Sequence, residues 1–532
     1  MAKKDAKFNM KNASRTRSSV ASIGLSTLCL VLFLTFLDNT IVSVTLANVQ
    51  SELHTNVVQM QWIVNGYALV FASFMLPAGA LADRFGRKKL MLLGVSLFCG
   101  GSLLGALAPN TNTLILARTI MGLGAAASEP GTLSMIRQIY SEPVLRARAL
   151  GIWAAVSGLA LAAGPLIGGT LVGIWSWRAV FWFGFLFGLV ALIAGIIFLS
   201  ESLDRQKGSF DFYGFLLGAA GIAAVTFAVM SGETNGYSTR WVELLMAGGF
   251  ISLLAFMFVE SKAENPTLDL ASFRNSSFAG SNIVALTSYF GIFSIFFFVA
   301  LYLQEVGTIS GFGLALDFVP MALGMMFASI LGGRWVGAFG PRAPMVLGCL
   351  LSGVGIFWID AILTPSSSVG TLGWPLCLSG LGFGLVIVPV TSTALSSIDA
   401  RHSGMASSMT NTSRELGAVA AVTLLGSIIN GQLTVNLLTK LTKIGIPKSL
   451  QPSVIASVTT GGPNQQISHY ANAGKEFQKI VNEVVSAAFA VFKSGLNTSL
   501  YIAGGLMLAS AIVAAFTIRA RSSGSLPAKS SQ

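Results

Sequence analysis

Charge is scarce in this sequence. Only 10% of its 532 residues are Asp, Glu, Lys or Arg and 53% are hydrophobic, where a water-soluble domain carries about 25% charged residues. With a mean hydropathy of +0.73, that balance excludes a soluble globular enzyme. Histidine is limited to His54, His402 and His469, each in or beside a connection between apolar runs, which argues against a histidine metal or proton site within those runs. Four cysteines, Cys29, Cys99, Cys349 and Cys377, stand singly in apolar stretches without ligand or redox spacing, so they read as small core residues. A GxxxxGKS/T phosphate loop, HExxH, CxxC and GxSxG are all missing, which removes ATP hydrolysis and the common hydrolase chemistries. No catalytic residue, metal or cofactor is expected.

What remains is apolar length. About 20 apolar residues cross a bilayer as a helix, and such runs lie near 20–47, 58–80, 90–108, 114–136, 149–172, 179–200, 212–231, 241–260, 277–303, 313–338, 344–363, 372–394, 404–430 and 494–518. The expected fold is therefore an all-α polytopic membrane protein with 14 transmembrane helices arranged as 6 + 2 + 6. Its expected parts are a tail at 1–19, a six-helix bundle at 20–200, two inserted helices at 212–260, a second bundle at 277–518 with a large outer loop at 431–493, and a tail at 519–532. The charged start, with Lys3, Lys4, Lys7, Lys11, Arg15 and Arg17, resembles a signal peptide, but the run behind it is too long and Asp38 interrupts it, so it reads as an uncleaved first span.

Orientation follows from where the basic residues fall. One side receives those six residues, then Arg84, Arg87, Lys88 and Lys89, then Arg137, Arg146 and Arg148, whereas the opposite short connections carry Arg178 and Arg240. Both termini are expected in the cytoplasm. The net charge of +12 thus belongs to membrane orientation and not to nucleic-acid binding. From Lys475 the outer loop places Phe477, Ile480, Val481, Val484 and Val485 at helical spacing, as for an amphipathic helix lying on a surface.

Several polar residues stand inside the apolar runs. Asp38 in the first costs about 2.5 to 3.5 kcal/mol to insert, so it either makes a polar helix contact or binds a proton in a water-filled cavity. Arg118 and Glu129 in the fourth run are eleven residues apart, nearly on one face and about 16 Å apart along the axis. Trp62, Asn65 and Tyr67 in the second run, and Asn411, Arg414 and Glu415 in the thirteenth, are either anchors and packing groups or further cavity wall. Gly158, Gly164, Gly168 and Gly169, with Pro165 as a kink, make the fifth run a close-packing seam.

GALADRFGRKKL, from Gly79 to Leu90, concentrates charge between the second and third runs, with Gly79 and Gly86 giving the backbone freedom to turn. GRWVGAFGPR, from Gly333 to Arg342, repeats it at a constant offset of 254, pairing Gly79 with Gly333, Phe85 with Phe339 and Gly86 with Gly340. The second copy has Gly337 in place of Asp83. The two six-helix blocks are therefore read as a duplication.

With LDNTIVSVTLANV from Leu37, LILARTIMGLGAA from Leu114 and GLALAAGPLIGGTL from Gly158, the chain resembles the major facilitator superfamily, in particular its fourteen-span drug:proton antiporter branch. That resemblance implies a bacterial plasma-membrane protein, a monomer, whose partners are a small-molecule substrate, protons and the lipid bilayer. It also implies that Asp83 is the acid of a cytoplasmic gate contacting a helix end of the other half, with Arg84, Gly86, Arg87 and Lys88 around it. Asp38 and Arg118 would serve proton coupling, and the Gly158 to Leu171 stretch would be the antiporter helix. Glu129, Trp62, Asn65, Tyr67 and Asn411 are assigned to the substrate cavity on the residues alone. Export of one dedicated metabolite, or a non-transporting sensor on the same fold, are the alternatives.

Overall fold

Apolar runs that meet no water must satisfy their backbone groups internally, and the regular structure among the described residues is helical. The structure is a computed structural model describing residues 2–55, 57–201, 211–263, 266, 268–307, 309, 311–399, 402–444 and 475–519. The expected tail beyond Arg519 and the middle of the outer loop lie outside these residues.

The first block comprises α1 (Ala2–Ile41), a short α2 (Leu46–Leu53), α3 (Val57–Phe85), α4 (Arg87–Ala106), α5 (Thr111–Ile139), α6 (Pro143–Ile174) and α7 (Arg178–Phe198). Two further helices follow, α8 (Phe212–Asn235) and α9 (Arg240–Glu260). The second block holds α10 (Ser276–Phe293), α11 (Ala300–Glu305), α12 (Gly311–Phe339), α13 (Arg342–Ile362), α14 (Val369–Ser396), α15 (Ser403–Ala420), α16 (Gly426–Ile444) and α17 (Lys475–Thr517). Wide π-type turns at Ser294–Val299 and Ala421–Leu425 join α10 to α11 and α15 to α16, so each pair makes one continuous rod.

Thirteen helices among the described residues are long and apolar enough to cross a membrane. α5 has the same length as α3 and α12, 29 residues, but its buried face carries Arg118, Ser128, Glu129, Thr132 and Ser134, which makes it too polar for that count. The outward faces are apolar instead: Leu186, Ile193 and Ile197 on α7 and Leu244, Ile251 and Leu254 on α9 are all exposed, as a hydrocarbon solvent requires.

The two blocks meet along two seams, α6 against α12 and α14, and α15 against α3 and α5. α8 and α9 pack on each other and cover the second seam, where Ile222 and Phe256 join Leu76 of α3 and Met405 of α15 in one apolar cluster. The repeat has a shared backbone cause. Gly86 and Gly340 both stand at positive φ, +110° and +91°, in the turn between a helix ending in Phe and one beginning in Arg, a conformation that disfavours side chains.

Two expectations are corrected. GALADRFGRKKL is not the connection between 80 and 90 that the apolar runs imply, because α3 runs through Phe85 and α4 starts at Arg87, leaving Gly86 as the sole non-helical residue between them. The stretch from Lys475 is not a separate surface helix either: it is the first part of the 43-residue α17. Along its described part Val484, Ala487 and Ala488 pack on Leu437 and Leu441 of α16, while the side chains of Phe477, Ile480 and Val481 lie outside the described residues. The outer segment is therefore in part a helical hairpin continuing the last two spans.

Candidate functional site

The interior of the first block holds an ion pair. Arg118 of α5 donates from Nη1 to Asp38 Oδ2 of α1 at 2.5 Å and from Nε to the Ile63 carbonyl of α3 at 3.0 Å. Its guanidinium lies 4.5 Å over the Tyr67 ring, and the Tyr67 hydroxyl donates to the Thr35 carbonyl at 3.3 Å. Asp38 and Arg118 are 5% and 1% exposed. Each charge would be prohibitive alone at that depth, and together they make a neutral unit with shared hydrogen bonds.

A second cluster lies where the blocks face each other. Arg414 of α15 donates to Asn411 Oδ1 at 2.9 Å and to the Thr391 hydroxyl of α14 at 2.5 Å, and its guanidinium is 5.6 Å from the rings of Trp153 and Tyr289. Glu129 of α5 is buried, its Oε2 without a hydrogen-bond partner among the described residues, and it lies within electrostatic reach of Arg414 and Glu415. Asn411 Nδ2 is likewise unpartnered. Three carboxylates, Asp38, Glu129 and Glu415, thus face two guanidiniums, so these two clusters carry one carboxylate more than their arginines balance when all are ionised.

One end of the molecule is closed by polar contacts between the blocks. The Asp83 carboxylate accepts from the backbone N–H of Gly404 and of Met405, both at 3.0 Å. These are first-turn amides of α15, which have no partner within their own helix and carry the positive end of its dipole. Arg87 holds Asp83 from its own block, donating to Oδ1 at 2.9 Å from Nε and 2.7 Å from Nη2. Ser407 donates to the Pro130 carbonyl at 2.9 Å. Arg137 donates to the carbonyls of Leu395 and Ile398 at the end of α14.

Lys88 and Arg84 do not join Asp83. Lys88 Nζ donates to the carbonyls of Ile196 and Leu199 at 2.8 and 2.6 Å, closing the end of α7, and the Arg84 guanidinium lies 5.7 Å from the Phe85 ring. In the second copy the position faces the other block closely: a Cβ on Gly337 would stand 3.2 Å from Val144 Cγ1 of α6, which would have to shift to admit a side chain.

The glycines of α6 divide between two neighbours. Gly158 faces α12, where a Cβ would come 3.1 Å from Met325. Gly164 and Gly168 face α1 of their own block, against Thr40, Ile41 and Val44, and Thr40 donates to the Leu161 carbonyl at 3.0 Å. The stretch therefore fixes the helix that carries Asp38, and only its first glycine lies on the seam between blocks. Gly169 meets nothing within 4 Å and is no part of a seam. Pro165 lies within α6, its side chain outside the described residues. Gly164→Ala, whose Cβ would collide with Thr40, is expected to lower the thermal midpoint by the equivalent of about 1–3 kcal/mol, and Gly169→Ala to leave it unchanged.

Trp62 is placed away from the interior cluster. Its ring lies tilted against Phe227 of α8 at 5.3 Å, and Phe227 in turn meets Trp241 of α9 at 6.1 Å, so it anchors the inserted pair. Asn65 is half-buried on α3. The sequence reading passed over Trp153, Tyr289 and Thr391, which surround Arg414. It also passed over Asp360 of α13, 4.0 Å from Lys493 of α17. Scanning every apolar run for acids finds Asp360, whereas nothing local marks Trp153 as an arginine partner.

The chain matches the family described as Major Facilitator Superfamily over residues 28–422. It is 30% identical to the multidrug resistance protein Stp of Mycobacterium tuberculosis over 472 residues, 89% of this chain and 87% of that one. It is 28% identical to the tetracenomycin C resistance and export protein of Streptomyces glaucescens over 485 residues, covering 91% and 89%. It is 29% identical to the multidrug efflux pump LfrA of Mycolicibacterium smegmatis over 508 residues, covering 95% and 98%. Among solved structures, the fold is similar to the human organic anion transporter MFSD10 (TM-score 0.58, 14% identity, 94% of this chain and 99% of that one). A bacterial homologue of the lysosomal transporter Spinster is similar at TM-score 0.59 and 17% identity, with the same coverage. Two helical blocks with a repeated glycine turn, a polar interior and a family match across most of the sequence lead to one conclusion: the chain belongs to the Major Facilitator Superfamily and is a membrane transporter, not an enzyme.

Proposed function

We propose that this transporter is a proton-coupled antiporter that exports amphipathic, drug-like compounds by alternating access. The observation that carries this reading is the buried Asp38–Arg118 pair, set in an interior that also holds the unpartnered Glu129 carboxylate. An intramembrane acid marks an ion or substrate path, and the excess carboxylate suits a proton or a protonated amine, with Trp153 and Tyr289 offering aromatic faces. Proton binding couples to transport when the acid is more basic with the site open to one side of the membrane than to the other.

In this reading the end closed by Asp83 is cytoplasmic, both termini lie on that side of a bacterial plasma membrane, α5 is the fourteenth span, and the protein works as a monomer. Asp83 and Arg87 form the gate, and the α6 glycines form the antiporter helix. Efflux relatives among bacteria support the export direction. A dedicated exporter of one compound is the second reading, favoured by the relative named for tetracenomycin C alone. Proteoliposomes enclosing a pH dye decide between them: addition of chemically unrelated amphipathic cations, such as ethidium and a tetraphenylphosphonium salt, is expected to change lumen pH through the wild type. A response to neither would remove the multidrug reading.

A further inference from the structure

The closed end contains a cavity of about 450 Å³ between the blocks. Arg146 of α6 enters it from one block; Thr393 of α14, the Gly340–Pro341 turn, Ser277 of α10 and Arg519 after α17 enter from the other. No carboxylate lines it. Arg146 and Arg519 belong to none of the ion pairs among the described residues, and Arg146 lies close enough to Arg137 to feel its charge. Arg146 Nε is buried without a hydrogen-bond partner, and so is the hydroxyl of Thr393, a residue only 4% exposed. Buried donors of this kind are rarely left unmade. The backbone of Arg519, an exposed residue, is tied in place, its amide N–H donating to Ser277 Oγ at 3.2 Å while that hydroxyl donates to the Thr517 carbonyl at 3.0 Å.

The duplicated fold indicates what is missing. After the first glycine turn, the amides of Lys88 and Lys89 at the start of α4 donate to the Glu201 carboxylate at 3.1 and 3.2 Å, and Glu201 comes from the segment just after α7. After the second turn, α13 begins at Arg342 with no side-chain cap, and the segment after α17, the counterpart of α7, supplies Arg519 instead of an acid. Where the first block has its own carboxylate, the second has a cavity lined by two arginines.

We propose that this cavity is a binding site for a phosphate-bearing anion, which joins Arg146 of the first block to Thr393 and Arg519 of the second. Planar guanidinium groups bind phosphate oxygens in pairs, the Thr393 hydroxyl adds a donor, and the volume accommodates a phosphate together with its ester substituent. Because the site takes residues from both blocks, its occupant favours the closed end over any arrangement that separates them. The chemistry is shared by an anionic phospholipid headgroup and by a soluble phosphate.

The test uses the full chain in nanodiscs at matched ionic strength, with its thermal midpoint as readout. One arm titrates inorganic pyrophosphate into discs of phosphatidylcholine; the other replaces part of that lipid by phosphatidylglycerol with no phosphate added. A saturable rise of the midpoint is expected in at least one arm: with phosphatidylglycerol alone it assigns a lipid headgroup, with pyrophosphate alone a soluble ligand. Arg146→Gln is expected to keep the wild-type midpoint in plain phosphatidylcholine discs and lose the rise, and Thr393→Ala to weaken apparent affinity several-fold. If Arg146→Gln does not fold, Thr393→Ala carries the comparison. No rise for wild type in either arm, or an undiminished rise in the variants that fold, overturns the proposal. Neither result bears on proton coupling, which the lumen-pH assay reads separately.

Discussion

Asp38→Asn is expected to reduce proton-driven efflux to the uncoupled level and to destabilise the protein. The two effects have different causes and can be separated. Asn cannot balance Arg118, so the substitution leaves a guanidinium uncompensated at a position 1% exposed; removing one partner of a buried pair costs about 3–5 kcal/mol. The Ile63 carbonyl and the Tyr67 ring still contact Arg118, but neither carries the opposite charge. Adding Arg118→Gln removes the orphaned charge, so the double variant should recover much of the lost stability. It should not recover coupling, because no carboxylate remains in the apolar run of α1. Thermal unfolding in detergent reads the first effect, and substrate-induced lumen pH change in proteoliposomes reads the second. If Asp38→Asn still exchanges protons for substrate at the wild-type ratio, Asp38 is a packing residue and Glu129 becomes the leading candidate. If the double variant recovers both stability and coupling, the pair is structural only.

The sequence made some of this legible because certain demands are local. A glycine at positive φ is required by one turn, so Gly86 and Gly340 stand out at a fixed spacing, and the duplication could be read before any helix was placed. An acid in an apolar run must have a partner, so Asp38 announced a site. The partner's identity was not local: Arg118 is 80 residues away, and the amides that receive Asp83 are more than 320 away. A backbone N–H has no side-chain signature at all. The resemblance placed Lys88 with the gate beside Arg87, yet successive residues on a helix point about 100° apart. Arg87, four residues after Asp83, turns back toward it, and Lys88 turns to α7. The stretch from Lys475 misled for another reason. One apolar face of a helix looks the same whether membrane, solvent boundary or a second helix covers it, and here α16 covers it at Val484, Ala487 and Ala488.

Asp83→Asn is expected to loosen the closed end without altering how the chain threads the membrane. The carboxylate accepts from two α15 amides and from Arg87 at once, and a hydrogen bond to a charged group contributes about 1.5–3 kcal/mol. Asn keeps one acceptor oxygen but loses the charge, its attraction to the helix dipole and the pairing with Arg87. A net loss of about 1–2 kcal/mol changes the ratio of closed to open forms by roughly 5–30-fold. The contact also has a steric side, since a Cβ on Gly404 would fall on the Asp83 carboxylate. Gly404→Ala should therefore reproduce the phenotype, and the two substitutions together should do little more than either alone, because both break one contact. Spin labels on the ends of α3 and α15 would report the separation, with the long-distance population rising in each variant and efflux falling. The equivalent contact in the second copy predicts the opposite sensitivity. A Cβ on Gly337 would stand 3.2 Å from Val144 Cγ1, where that side chain can give way, so Gly337→Ala should be mild where Gly404→Ala is severe. An unchanged distance distribution in Asp83→Asn, together with wild-type efflux, would reduce the acid to one more charge in a turn that orients the chain.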